Sequence, residues 1–391
     1  MATIVPGMFG TGDWATDQRP TNFREKILRL FPDSPAVMTA LMGKMKSESV
    51  DDPKFTWFEE GLPTYSAVAY ANAAIDATAI YITGQDTYKA FRAGMALMNE
   101  ASFEVMWVTA AAAEDANQSK LTVVRAKGST AVAITAGERL TICGTHNEEG
   151  VDTPAAIAFN PSTVTNYTQI FRRSLNITRT AMKTKLRTGD DYKNKKRSVA
   201  EQHAIDMEWA FNWGSAVETT GANSRYDRTT KGLCRFITSN IKDFVGAVDA
   251  DQIDDFFEQL ARQGSSTRLC LAGSGLINVL QKAVAAKATY TIKAGESIYG
   301  MKVMEWITPQ LRVLFKQHPL WSQSETFRYA GVILDTKNIM YRPLKDSDTK
   351  YLKNRQNPGA DGVIDEYLTE AGLEVQHEST HGLMLDASGL S

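Results

Sequence analysis

Between Ala79 and Cys143 the chain holds five short apolar runs within about 65 positions. They read AIYIT (79–83), FEVMWVTA (103–110), KLTVVRA (120–126), AVAIT (131–135) and RLTIC (139–143). Gly84, the polar stretch 114–119, Gly128 and Ala136-Gly137 part them. Alternation with period two places every second side chain on one sheet face. Runs this short, cut by turn residues at this spacing, predict a compact all-β unit, a small barrel or sandwich. Phe55, Trp57 and Phe58 begin an extended piece before it, and QIFRRSLNIT (169–178) alternates again after it. Residues 51–190 therefore read as a β excursion that leaves a main domain and returns.

On both sides of the excursion the period changes. Residues 1–50 read as an arm with little core of its own. Thr21 can cap a short helix carrying Phe23, Ile27 and Leu30, and a second helix is expected over 34–45 with Pro35 at its first position. The face Met38, Leu41, Met42 and Met45 can be buried only by lying on something else, such as a neighbouring subunit. The strongest helical segment lies within 191–218. Ser198 and Glu201 have capping-box spacing, and Ile205, Trp209 and Trp213, with Met207 and Phe211 beside them, form a wide apolar face. Residues 230–335 alternate strand and helix. GLCRFI reads as strand, 249–263 as a helix capped by Asp249, RLCLA as a buried strand and 276–286 as a helix. YGMKVMEWI and LRVLFKQ are strands around Thr308-Pro309-Gln310, and GVIL leads to a closing run over 366–385.

Composition narrows the classes. A net charge of −2 does not suit a non-specific nucleic-acid binder, which needs a net basic surface. Cys143, Cys234 and Cys270 stand far apart without a CxxC, which gives neither a disulfide framework nor a structural zinc site and points to a reducing compartment. The first residues lack the pattern of a signal peptide, and no run approaches the roughly 18 apolar residues of a membrane span.

Three segments carry chemistry-like patterns. His377-Glu378-Ser379-Thr380-His381 matches H-E-x-x-H, which binds zinc when a helix brings both histidines to one face. Its flanks LEVQ and GLML alternate like a strand, which would hold the two histidines about 13 Å apart. A solvated strand face is the expectation. Gly273-Ser274-Gly275 lies between strand and helix but lacks the rest of a phosphate-binding turn, so a plain strand–turn–helix is expected. The third segment is a basic block over 167–197. Arg172, Arg173, Arg179, Lys183, Lys185, Arg187, Lys193, Lys195, Lys196 and Arg197 stand against Asp190 and Asp191 there, a local charge of +8. Two readings stay open: a solvated or salt-bridged face, or a surface beside DNA or a neighbouring subunit. Without interleaved aromatics it is not a base-reading site. His146, His203, His318, His377 and His381 are scattered, with no nucleophile–base–acid set, and His203 on the long helix reads as structural.

The order of elements resembles the major capsid proteins of tailed bacteriophages, in particular a subfamily whose extended loop carries an inserted β domain. The likeness rests on Phe9-Gly10-Thr11-Gly12, Phe58-Glu59-Glu60, Asn147-Glu148-Glu149-Gly150, Asn166-Tyr167-Thr168-Gln169-Ile170-Phe171-Arg172 and the helix over 201–213. It implies an α+β fold with an N-terminal arm (1–50) and an E-loop (51–190) holding a small all-β insertion at about 77–150. It further implies a peripheral domain with a spine helix (191–229), an axial domain (230–335) and closing strands (336–391). The function implied is a non-enzymatic subunit that self-assembles, as hexamers and pentamers, into the icosahedral head shell around phage double-stranded DNA. The partners implied are portal and scaffolding proteins during assembly, non-specifically contacted DNA and a decoration protein. No catalytic residue, metal, cofactor or membrane is called for, and the locations implied are the virion and, during assembly, the host cytoplasm. Two other classes stay open: a tail or decoration protein, and a zinc hydrolase using His377, Glu378 and His381.

Overall fold

The computed structural model describes residues 36–43, 45–62, 65–150, 152–154, 156–157, 160–186, 190–287, 293–298, 301–387 and 389–390. The expected helix around Phe23, the Phe9–Gly12 motif and Arg187 lie outside them. The chain forms two compact units, Phe58–Thr163 and, from two stretches, Met1–Trp57 with Val164–Ser391. This division falls inside the 51–190 excursion, because the strand Gln169–Thr178 belongs to the larger unit.

The smaller unit is one six-stranded antiparallel sheet. Its order is Ser66–Val68, Arg139–Thr145, Met95–Asn99, Val105–Ala113, Gln118–Val124 and Ala79–Thr83. Its two edges approach at the Ala69–Ile82 bridge, where Tyr70 N–H donates to Tyr81 O at 2.8 Å. The sheet thus curls on itself, and alternate side chains meet inside it: Ile80, Ile82, Leu97, Met106, Leu121 and Leu140 have no exposed surface. Two expectations need correction. Met95–Asn99 is a strand despite lacking β-branched residues. AVAIT is not a strand, and only Ile134 bridges, to Ala73. The buried Arg125–Glu104 pair explains why: Glu104 accepts from Val132 N–H at 3.0 Å and Arg125 donates to Val132 O at 2.5 Å. Both backbone groups of Val132 are occupied by side chains, leaving none for a ladder.

The larger unit holds two main sheets. In one, the closing strand Gly362–Val375 pairs with Gln169–Thr178 in unbroken register from Gly362↔Thr178 to Ala371↔Gln169. Ile339–Pro343 and Lys350–Leu352 complete it. Gly372 of the closing strand faces the Phe55 ring, and a Cβ there would fall 2.6 Å from it, so the position needs glycine. The long helix Asp191–Trp213 packs on this sheet. Asp190, not Ser198, caps it, its Oδ1 accepting from Lys193 N–H at 3.3 Å. The Ser198–Glu201 box therefore sits mid-helix. Buried along the helix are His203, Met207, Glu208, Phe211 and Asn212, while Trp209 and Trp213 are half-buried with their rings near Phe327. The burial stripe is thus displaced from the tryptophans toward a partly polar face. The GLCRF stretch is also corrected: Leu233–Phe236 is a helical turn whose Leu233, Cys234 and Phe236 enter the same core.

The second sheet has seven strands. Their order is Ile241–Asp243, Gly382–Leu385, Gly331–Leu334, Thr267–Ala272, Arg312–Gln317, Met301–Ile307 and Lys293–Ile298. Helix Ala250–Ala261, capped by Asp249, and helix Ser274–Lys287 pack around a core of Phe256, Phe257, Leu260, Leu276, Phe315 and Trp306. The glycines of the 273–275 turn serve packing. A Cβ on Gly275 would lie 2.7 Å from the Tyr329 ring, and one on Gly273 would strike the Arg328 backbone.

The second arm helix is shorter than expected, Val37–Met42, and it does not wait for a neighbour. Val37, Met38, Leu41 and Met42 are at most 3% exposed and share a core with Phe211 and Trp321 of their own chain. Each such side chain contributes about 1.5–3 kcal/mol on burial. Residues from Val37 onward are therefore part of the folded body.

Candidate functional site

The basic block is largely neutralised from within the chain. Arg172 pairs with Glu366 at 2.6 Å, Arg179 with Asp361 at 2.7 Å, and Arg173 with both oxygens of Asp206. At the helix start, Lys193 and Lys195 face Asp190 and Asp191, and Arg197 faces Glu201 at 2.9 Å. Lys196 lies over the Tyr351 ring, 3.8 Å from its centroid. Lys183 and Lys185 are different. They are exposed and, among the described residues, have no ion-pair partner. Among the described residues, the cations of the block left without an acid or a ring are thus Lys183 and Lys185, two positions apart.

The HESTH segment is neither a helix nor a solvated strand face. His377 has a left-handed backbone (φ 49°), Glu378–Thr380 is one 3-10 turn, and His381 is fully buried. The Glu378 carboxylate accepts from the N–H groups of Thr238 and Ser239, at 2.9 and 3.2 Å, and from the Ser239 hydroxyl. Burial alone would raise its pKa, but these bonds outweigh it and hold the carboxyl below its ordinary range. Glu378 thus clamps the 238–239 loop. His381 Nδ1 accepts from Asp335 N–H at 3.2 Å, which leaves Nδ1 without a proton. Among the described residues no three His, Cys, Asp or Glu side chains converge for a metal ion. The strand-like flanks were a fair sign against a zinc helix, but they gave no sign that His381 is inside.

Burial, reinforced by nearby Arg268 and opposed by Asp335, lowers the His381 pKa to about 4. An unfolded chain protonates this histidine below about 6.5, while the folded one stays neutral down to about 4. The unfolded state then binds more protons across that window. Stability is expected to fall by roughly 3 kcal/mol from pH 6.5 to 4 and to level off below it. Denaturation of unassembled subunits at a series of pH values checks this, and His381→Asn, which can still accept from Asp335, should flatten the profile.

A buried polar cluster joins the arm helix to the long helix. Glu208 is 1% exposed. Its Oε1 accepts from Met38 N–H at 2.8 Å and from His318 Nε2–H at 2.7 Å, and its Oε2 from Thr39 N–H at 2.8 Å and Thr39 Oγ1–H at 3.1 Å. His318 Nδ1 accepts from Trp321 N–H, so its proton is on Nε2, aimed at Glu208. A side chain on one helix thus serves the free N–H groups at the start of another. Glu208 and His318 lie 110 residues apart, and no local pattern announces the pair.

A family model described as SU10 major capsid protein matches residues 8–388. The major capsid protein of Pseudomonas phage PaMx41 is 28% identical over 389 residues, covering 96% of this chain and 91% of that protein. Among solved structures, the capsid protein of an empty GTA particle aligns over 94% of this chain and 95% of its own, with TM-score 0.49 and 11% identity. A chain in the solved structure of Microbacterium phage Oxtober96 aligns over 94% of this chain and 95% of its own, with TM-score 0.46 and 10% identity.

Proposed function

The chain belongs to the SU10 major capsid protein family, and from that premise we propose how its parts serve a shell. It is a major capsid protein, the structural subunit of a phage head. The observation that carries this is the family match over residues 8–388, nearly the whole chain. The subunit self-associates into hexamers and pentamers that close an icosahedral shell around DNA, with portal and scaffolding proteins taking part during assembly. A decoration protein is a further partner. The Phe58–Thr163 unit acts as the extended loop with its β insertion, Asp191–Trp213 as the spine helix and the seven-stranded sheet as the axial domain. The head of the virion is its place of work, after assembly in the host cytoplasm. As a structural subunit it needs no active site: Glu378 is spent on a loop clamp and the basic block mostly on internal pairs.

The test is electron microscopy of the expressed chain, with and without its scaffold. Regular shells are expected, and soluble monomer under both conditions would refute the reading. The arm can be tested cleanly only by removing residues 1–35. Removal of 1–50 would also take Val37–Met42 out of the core and unfold the subunit. The shorter deletion spares these core residues, and shell yield is expected to fall at least tenfold while the circular dichroism of the subunit stays native. Unchanged yield would mean that the arm takes no part in assembly.

A further inference from the structure

Resting on the assembly reading, we infer that the turn Met182–Leu186 docks on the segment Phe58–Leu62 of a second copy of this chain. Three observations lead there. Within the basic block, the described cations other than Lys183 and Lys185 are held by acids or a ring of their own chain. The two lysines are flanked by apolar side chains left in water, Met182 at 38% and Leu186 at 41% exposure. A surface meant for a DNA backbone needs cations and gains nothing from such flanks. A protein partner gains from both.

The complement is present in the same sequence. Phe58 and Leu62 are 72% and 85% exposed, among the most exposed large apolar side chains described, and they enclose Glu59 and Glu60. Each segment has apolar ends four residues apart and two like charges between them, positive in one and negative in the other. Glu60 is exposed and has no ion-pair partner among the described residues. Burying Phe58 and Leu62 against Met182 and Leu186 supplies the apolar contact. Meeting opposite charges fixes the register and disfavours pairing of either segment with itself. The two patches differ, so the contact is heterologous, the kind that makes a ring when its rotation closes. That is the geometry a capsomer requires.

Two variants test it in the full-length chain. Lys183→Glu with Lys185→Glu should lower the assembled fraction at least tenfold, by sedimentation and microscopy, while the circular dichroism of the subunit stays native. Adding Glu60→Lys should recover a measurable part of the assembly. In a Cys143→Ser background, oxidising assembled Leu62→Cys/Leu186→Cys protein should give covalent ladders, whereas either cysteine alone should not. Ladders without charge rescue would still support the contact, since proximity is its content. Normal assembly of the lysine variant together with no ladder would overturn it, as would assembly that fails without rescue and without ladders. Shells that form normally but package less DNA would assign the lysines to DNA instead. If the unaltered chain forms no shells at all, the functional reading fails rather than this contact.

Discussion

Replacing Glu208 with alanine is expected to destabilise the unassembled subunit by roughly 3–5 kcal/mol. The substitution strands the N–H groups of Met38 and Thr39 and the Nε2–H of His318, all of which point at this carboxylate. A buried donor without an acceptor costs about 1–3 kcal/mol, and water cannot easily replace a side chain that is 1% exposed. Glutamine is the informative second variant. Oε1 serves Met38 and His318 and Oε2 serves Thr39, so both oxygens must accept and no amide flip satisfies both. Glu208→Gln should therefore still cost about 1–3 kcal/mol despite its shape. Denaturant titration of dispersed subunits measures both. A loss below about 1 kcal/mol for alanine would show that Val37–Met42 is held by apolar packing alone. A consequence for assembly follows, because the segment before Val37 is anchored wherever this helix is held. Shell yield should fall with Glu208 even where the subunit stays folded.

What could be read in the sequence depended on how local the cause was. The β unit was legible because alternation is a property of consecutive residues, and Ile80, Ile82, Leu121 and Leu140 lie inward as their pattern requires. The strand Met95–Asn99 was not, since Met, Ala and Asn give little β preference and only its neighbours recruit it. AVAIT had the preference, but the backbone groups of its Val132 are taken by Glu104 and Arg125, more than twenty positions away in the first case. The Ser198–Glu201 box was a decoy, because Asp190 eight residues upstream caps first and the helix runs through the serine. The same limit governs function. The basic block was visible as a count of charges, but its neutralisation by Glu366, Asp361 and Asp206 exists only in space. The arm helix showed an apolar face truthfully, and its partner proved to be its own chain's core rather than a neighbour.

Arg268→Ala should cost as much as the glutamate variant, roughly 3–5 kcal/mol, for a different reason. Arg268 and Asp335 form an ion pair at 2.9 Å with side chains 0% and 2% exposed. Around it, Arg268 donates to Thr380 O at 2.6 Å and to Gln263 O, while Asp335 accepts from the N–H groups of Ser265 and Lys337, at 2.9 and 3.2 Å. Gly264, at φ 82°, leaves the room, since a Cβ there would stand 2.6 Å from the guanidinium. Without the arginine, Asp335 is a buried charge held by the N–H groups of Ser265 and Lys337 and the Asn338 amide, with no cation beside it. Burial pushes the Asp335 pKa up, and the N–H bonds and Arg268 together bring it below the ordinary value. Loss of Arg268 removes part of that opposition. The stability that Asp335 adds at neutral pH then disappears at a higher pH as acid is added. His381 moves in the opposite sense for stability: Arg268 helps keep it neutral, so the variant lets it protonate more easily and shrinks the decline between pH 6.5 and 4 that burial imposes. The double variant Arg268→Met/Asp335→Leu should lose less than the two single losses added together, because each partner's main penalty is the other left behind. Denaturation at pH 7 and pH 5 for the four proteins of this cycle measures the coupling directly. Strict additivity would mean that the pair contributes nothing beyond its separate hydrogen bonds.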